Sequence, residues 1–140
     1  MKKNIVICGA GQVGFNLAKY LIGHQYNVTI IDHDPKLIAD INERIEAKAL
    51  VGHASDPHIL KKAGADNADM LIAVTYSDEV NIVVCEIANA LFHIPKKIAR
   101  IRNQAYLDQE LDIFSQTRLS IDHVISPEIE VAQAISRGLE

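Results

Sequence analysis

Residues 4–32 read NIVICGAGQVGFNLAKYLIGHQYNVTIID, and this stretch decides the fold. An apolar run ends at three spaced glycines, an amphipathic segment follows, and a second apolar run ends in Asp32. The order of strand, glycine turn, helix, strand and acid is the pattern of a dinucleotide-binding βαβ unit. The alternative is a glycine-containing turn in an α/β domain that binds no ligand, which would not need all of these features at this spacing.

Each glycine of the turn has a predicted role. Gly9 permits the tight turn, Gly11 lets the backbone approach a pyrophosphate, and Gly14 lets the helix pack closely on the first strand. The free N–H groups at the helix start, together with the helix dipole, would bind the phosphates. The carboxylate of Asp32 can accept hydrogen bonds from both ribose hydroxyls, and it would repel a 2′-phosphate, which disfavours NADP.

Composition and charge exclude several classes of function. The 140 residues predict one domain, and the net charge of −4 with no block of Lys or Arg argues against nucleic acid or an anionic lipid surface as the main partner. The N-terminus runs directly into a strand from Lys3, which leaves no room for a signal peptide. The two cysteines, Cys8 and Cys85, lie in apolar stretches and are expected to be buried thiols in a reducing compartment. We therefore expect a cytosolic protein.

Apolar periodicity predicts strands that alternate with helices. The predicted strands are 4–8, 27–32, 48–51, 70–74, 97–102 and 123–125. The predicted helices begin near residue 12 and at residue 35, and then cover 58–63, 79–92, 103–114 and 128–137. This alternation implies a Rossmann-like, doubly wound parallel sheet of about six strands in a three-layer α/β/α arrangement, with the ligand cleft at the carboxyl ends of the strands.

Two features bear on assembly and on the limits of function. The predicted helix 79–92 is apolar on nearly all sides, so one face would contact the sheet and the other could contact a second copy of the protein. The length leaves no room for the substrate domain of a two-domain dehydrogenase. Either the chain is a fragment, or nucleotide binding is itself the activity.

Further motifs carry a resemblance to a known family. They are VGHASDP (51–57), LKKAGADNAD (60–69), AVTYSDEVN (73–81) and IARIR (98–102). In this order, and together with the glycine turn, they resemble the N-terminal domain of the RCK (KTN) family, which regulates potassium channels and transporters. The resemblance covers nearly all of the chain. With IDHVISPE (121–128), it is closest to the cytosolic subunit of a bacterial potassium uptake system.

The resemblance implies a regulatory protein rather than an enzyme. Members of the family bind NAD(H), or ATP and ADP, in the cleft. They dimerise, assemble into rings beneath a membrane-embedded potassium-translocating subunit, and transmit the ligand state to its gate. Residues 1–140 would then be the nucleotide-binding domain of a longer subunit, which lies on the cytoplasmic face and meets the membrane only through the pore subunit.

Two positions depart from the family pattern. Many relatives carry Gly-Asp where this chain has Gly52-His53, although His53 could still bond to an adenine or stack on it. Relatives that hold the γ-phosphate of ATP often place Arg where this chain has Gln12. Because phosphate recognition relies on such charge-assisted contacts, the departure favours NAD(H) over ATP.

The predicted cofactor-binding residues lie at the ends of strands and in the loops that follow them. They are Gly9, Ala10, Gly11, Gln12, Val13, Gly14, Asp32, His33, His53, Ala54, Thr75, Tyr76, Asp78 and Arg100. The hydroxyl of Thr75 can bond a phosphate or the second ribose. Asp78 is explained equally well as an acid that suits a helix N-terminus. A buried Arg100 would pair with a phosphate or with an acid across a dimer interface. Arg102 lies two residues later and faces the same side of the predicted strand, so either arginine could be the inner one.

Two alternative functions stay open. A short NAD-dependent oxidoreductase would need a proton-transferring residue, but no Tyr is followed by Lys four residues later, and Cys8 has no evident base. A nucleotide-free scaffold would use the fold for assembly alone. The six histidines show no i, i+4 pair and no neighbouring Cys, so we predict no metal site.

Overall fold

The computed structural model describes residues 2–108, 110–113 and 119–125. The strands are β1 (Asn4–Cys8), β2 (Asn27–Asp32), β3 (Lys48–Val51), β4 (Met70–Ala73), β5 (Lys96–Arg100) and β6 (His123–Ile125). The α-helices are α1 (Gln12–Gly23), α2 (Pro35–Arg44), α3 (Pro57–Lys62) and α4 (Asp78–Phe92), with short 3₁₀ turns at Ala65–Asn67 and Gln104–Leu107. The predicted helix 128–137 lies outside the described residues.

All six strands are parallel and lie in the order β3-β2-β1-β4-β5-β6. Strand β1 pairs on one side with β2 and on the other with β4, so Cys8 lies between Ile31 and Ala73. The direction in which strands are added reverses at β1. In open parallel sheets the crevice for a ligand lies at this switch point, so the order confirms the predicted fold and locates the cleft.

The alternation of side chains along β1 produces the two core layers. Ile5 and Ile7 pack in a cluster with residues of α1 and α2. Val6 and Cys8 point to the opposite face and pack in a cluster with residues of α3 and α4. Because successive strand residues face opposite sides of a sheet, an apolar run buries both faces, and the three-layer arrangement is confirmed.

Aspartate side chains cap α2 and α3. The carboxylates of Asp34 and Asp56 each accept a hydrogen bond of 2.9 Å, from the N–H groups of Lys36 and His58. Each acid precedes a Pro at the first helical position. Gly64 adopts φ +86° after α3, a conformation that costs glycine least.

Several predicted boundaries are wrong, mostly by one or two residues. Strand β4 ends at Ala73 rather than 74, β5 ends at Arg100 rather than 102, and a single 3₁₀ turn replaces the described part of the predicted helix 103–114. Aspartates explain the last difference. The carboxylate of Asp108 accepts a hydrogen bond from the Glu110 N–H, and Asp112 has φ +47°. Such local bonds compete with the helical backbone.

In the part of the chain that the structure describes, one face of helix α4 is buried and another contains exposed apolar residues. Its residues Asn81, Val84 and Cys85 are inaccessible to solvent, whereas Val83 and Leu91 are 46% and 57% exposed. The two exposed residues are eight positions apart and so lie on one side of the helix. The expected contact of this side with a second copy of the protein stays a prediction.

The packing of α1 on the β1 turn leaves no room for a methyl group at Gly14. A Cβ there would lie 1.7 Å from the carbonyl oxygen of Gly9. We expect Gly14→Ala to lower the free energy of unfolding by at least about 3 kcal/mol, the upper end of the usual cost of overpacking. Urea denaturation with circular dichroism measures the change.

The matched control is Gly23→Ala at the end of α1, where an added Cβ meets no atom within 4 Å. This variant should be unchanged or up to about 1 kcal/mol more stable, because alanine favours helices over glycine. Equal stability of the two variants would contradict the close packing of α1.

Candidate nucleotide site

A cavity of about 300 Å³ lies at the carboxyl edge of the sheet, where the loops after β1, β2, β3 and β4 meet the end of β5. Eleven of the fourteen predicted residues line it: Gly9, Gly11, Gln12, Val13, Asp32, His33, His53, Ala54, Thr75, Tyr76 and Arg100. Six further residues complete the lining and were not among those predicted: Ile31, Gly52, Ser55, Val74, Ser77 and Val80. Most of these six adjoin a predicted residue in the sequence.

The remaining three predicted residues lie outside the lining, each for a physical reason. Ala10 is buried, and its N–H donates to the Oδ2 of Asp32 at 2.8 Å. Gly14 faces the Gly9 carbonyl rather than the cavity. Asp78 binds the main chain that follows β5. Its two carboxylate oxygens accept hydrogen bonds of 2.9 and 2.8 Å from the N–H groups of Arg102 and Asn103.

Asp32 links the glycine turn to the start of α2. Its Oδ2 accepts from Ala10 as described, its Oδ1 accepts from the N–H of Asp34 at 2.8 Å, and its side chain is 12% exposed. Each oxygen of a carboxylate can accept about two hydrogen bonds. The carboxylate therefore holds the loop in place and still has acceptor positions that can bind ribose hydroxyls.

Two histidines stack on one another next to Asp32. The rings of His33 and His53 are nearly parallel, at 8°, with centroids 5.3 Å apart. The Nδ1 of His33 lies 3.7 Å from the Oδ1 of Asp32. Both residues are exposed at the mouth of the cavity, so the outer ring face of the stacked pair offers a surface on which a base can stack.

Helix α1 begins at the cavity without a side-chain cap. Gly11 is its N-cap residue and provides no side-chain hydrogen bond, and no acid lies in the first turn. The next two residues, Gln12 and Val13, line the cavity. The first N–H groups of a helix have no partner within the helix, and they carry the positive end of its dipole. This end of α1 is suited to an anion such as a pyrophosphate.

Arg100 is the inner of the two arginines. Its side chain is buried and lines the cavity, whereas Arg102 is exposed. The Nη2 group donates to the carbonyl oxygens of Val74 at 2.9 Å and Thr75 at 3.0 Å. The sequence predicted a phosphate or an acid as its partner, and that stays a prediction.

Asn81 supports the loop that lines the cavity, and it was not among the predicted residues. This fully buried residue of α4 bonds to Thr75 in the preceding loop and to the carbonyl of Arg100 in β5. The signal was present in the sequence, because Asn81 shares a helical face with Val84, Cys85 and Ala88. A lone amide on an apolar face must find polar partners.

Both cysteines are poor nucleophiles. Burial raises the pKa of Cys8 far above its ordinary value, and burial is also the main cause that raises the pKa of Cys85 to about 12. At neutral pH the thiols stay protonated, and the protonated form neither attacks a substrate nor binds a metal well. Among the residues described, no group of three or more His, Cys, Asp or Glu could hold a metal ion.

The parallel strand order, the glycine turn and the cavity at the switch point define a Rossmann-like α/β domain of the kind that binds nucleotides. A model of the TrkA-N domain family matches residues 5–127, and the chain belongs to this family. Within the ranges that the structure describes, no helix has the length and apolar character needed to cross a bilayer.

Curated relatives share high identity with this chain but are much longer. The chain is 48% identical over 136 residues to the Trk system potassium uptake protein TrkA of Azorhizobium caulinodans, and 41% identical over 136 residues to that of Vibrio alginolyticus. These alignments cover 96% and 97% of this chain but 30% of each relative. The chain therefore spans about a third of the length of these relatives.

Solved structures show the same fold at low identity. The TrkA-N domain of the inner membrane protein ybaL from Escherichia coli superposes with a TM-score of 0.72 at 22% identity, and covers 100% of this chain and 98% of that chain. The GsuK channel bound to NAD superposes with a TM-score of 0.72 at 18% identity, and covers 89% of this chain and 21% of that chain.

Both thiols should resist alkylation in the folded chain. Because the thiolate is the reactive form and burial keeps both groups protonated, iodoacetamide at pH 8 should label neither Cys8 nor Cys85. After unfolding in guanidinium chloride both should react. Mass spectrometry counts the added groups, and labelling of the folded chain at the rate of the unfolded chain would contradict the burial.

Asp78→Asn should lower the free energy of unfolding by about 1–3 kcal/mol, because an amide NH₂ would then face one of the two N–H groups that the carboxylate accepts. The matched control is Glu43→Gln, an exposed position of α2, which should change stability by less than about 0.5 kcal/mol. Urea denaturation measures both variants. Equal effects would show that Asp78 does not stabilise the segment after β5.

Proposed function

We propose that this chain binds NAD(H) and acts as the nucleotide-sensing domain of a regulatory subunit of a potassium uptake system. The observation that carries the proposal is the uncapped N-terminus of α1, which opens into the cavity next to the carboxylate of Asp32. The N–H groups would bind a pyrophosphate, and the carboxylate would accept the hydroxyls of the adenosine ribose. The adenine would then lie against His33 and His53.

The charge of the lining favours a dinucleotide over a triphosphate. Gln12, a neutral residue, stands where a cation would contact the phosphates. Asp32 adds a negative charge at the ribose position. ATP therefore meets less compensating charge than a triphosphate site provides, which makes ATP and ADP weaker candidates, and NADP is disfavoured by Asp32.

Relatives and structural neighbours support a regulatory role. The curated relatives are named Trk system potassium uptake protein, and solved neighbours include GsuK bound to NAD, GsuK bound to ADP and a Kef domain of Shewanella denitrificans in an AMP-bound form. We infer that the chain is one part of a longer, non-enzymatic subunit. This subunit would lie on the cytoplasmic face of the membrane and contact it through a potassium-translocating pore subunit.

The path from the cavity to a partner would run through α4. Thr75 and Ser77 line the cavity, and Ser77 is the N-cap of α4, where its hydroxyl accepts from the N–H of Val80. The exposed residues Val83 and Leu91 on this helix offer a surface for self-association in a dimer or ring. A ligand shifts such an assembly only if it binds one state more tightly than the other.

Calorimetric titration of the chain with NADH, NAD⁺, ATP and ADP tests the proposal. We expect NADH or NAD⁺ to bind more tightly than ATP. Asp32→Asn should weaken NADH binding roughly ten- to a hundredfold, because hydrogen bonds to a charged group contribute about 1.5–3 kcal/mol. It should also raise the affinity for NADPH relative to NADH, since the charge that repels the 2′-phosphate is removed.

The matched control is Asp66→Asn, an exposed acid just before β4 and therefore at the opposite edge of the sheet. Its nucleotide affinities should equal those of the parent chain. If none of the four nucleotides binds, the proposal of a nucleotide sensor is wrong. Oxidation of NADH with an added carbonyl substrate would instead favour an oxidoreductase.

A further inference from the structure

The loop between β4 and α4 contains a hydroxyl whose hydrogen-bonding role is set by a buried amide. The Oδ1 atom of Asn81 lies 3.0 Å from the N–H of Thr75, which can only donate. Its Nδ2 atom lies 2.8 Å from the carbonyl oxygen of Arg100 and 3.2 Å from that of Thr75, which can only accept. These main-chain partners determine which end of the amide is the oxygen.

The orientation of Asn81 decides where the proton of the Thr75 hydroxyl lies. The Oγ1 atom of Thr75 is 2.6 Å from the Oδ1 of Asn81 and 3.2 Å from the carbonyl oxygen of Ser77, and both of these atoms are acceptors. The N–H of Ser77 donates to the same Oγ1 at 3.3 Å. A hydroxyl has one proton and two lone pairs. Its contacts among the described residues use the proton and one lone pair, and leave the other lone pair for a ligand.

The position of Thr75 in the sheet indicates which part of a ligand it meets. Thr75 follows β4, Asp32 ends β2, and β1 with its glycine turn lies between these two strands. A dinucleotide spans the crevice across this switch point. A ligand with its first ribose on Asp32 and its phosphates on the glycine turn would therefore extend its second half towards Thr75, which lines the same cavity.

We propose that Asn81 makes Thr75 a hydrogen-bond acceptor, so that this end of the cavity selects a ligand that presents a hydroxyl rather than a phosphate oxygen. The inference rests on the proposed nucleotide binding and specifies its ligand class. A second ribose, as in NAD(H) or ADP-ribose, has hydroxyls that donate. ADP ends at the glycine turn and has no group that reaches Thr75. The terminal phosphate oxygens of ATP are acceptors at neutral pH, so they would face a lone pair.

Two variants of Thr75 and two ligands test this selectivity. Thr75→Val replaces the hydroxyl by a methyl group, whereas the control Thr75→Ser keeps it; ADP-ribose carries the second ribose that ADP lacks. Calorimetry on the 140-residue chain should show that Thr75→Val weakens ADP-ribose binding roughly three- to tenfold, the effect of one neutral hydrogen bond. ADP binding should change less than about twofold by the same reasoning, and Thr75→Ser should retain the parent affinities.

The outcomes separate this inference from the proposed function. Three results would overturn the selectivity while nucleotide binding stands. Thr75→Val could weaken the binding of both ligands equally, it could weaken neither, or Thr75→Ser could show the same loss of affinity as Thr75→Val. If the parent chain binds neither ligand, nucleotide binding and the inference both fall. In a folded Asn81→Ala variant the Thr75 hydroxyl loses its acceptor at 2.6 Å and keeps the more distant carbonyl oxygen of Ser77 at 3.2 Å, so its proton is held less firmly. The ratio of ADP-ribose to ADP affinity should therefore fall, and an unchanged ratio would overturn the role of Asn81.

Discussion

The close approach of α1 to the turn after β1 is the constraint on which the candidate site depends. A Cβ on Gly14 would lie 1.7 Å from the carbonyl oxygen of Gly9, and a Cβ on Gly9 would lie 2.8 Å from that of Val74. The main chain of α1, of the turn after β1 and of the segment after β4 is therefore in direct contact, with no side chain in between. This contact brings the first N–H groups of α1 to the edge of the sheet, where an anion can reach them.

Two polar side chains hold the opposite sides of the cavity around this contact. On the β2 side, Asp32 accepts from the backbone of the glycine turn and of the α2 start. On the β4 side, Asn81 bonds to Thr75 and to the carbonyl of Arg100. Buried networks whose members are all satisfied are rigid, because breaking any bond leaves a polar group without water. The groups that would contact a ligand are thus already in position.

Local sequence signals predicted most of the fold and much of the site. Asp34 and Asp56 fix the starts of α2 and α3 by local contacts, because a cap and its N–H partner are two residues apart. The prediction of a helix over 103–114 was wrong. The side chains of Asn103 and Asp108 each accept a hydrogen bond from the N–H two residues later, so a helix start and a competing turn depend on equally local contacts. The periodicity of apolar residues does not show which of two competing local hydrogen bonds forms.

The sequence by itself determined the parallel sheet, the glycine turn and the location of the cavity. These follow from apolar alternation and from steric limits that act within a few residues. Only the tertiary structure decided that Arg100 rather than Arg102 points inward, and that Asp78 supports the chain after β5. Asp78 meets the N–H of Arg102 from 24 residues away. These two residues are far apart in the sequence, and the packing of α4 on β5 brings them together. No local sequence pattern indicates that contact.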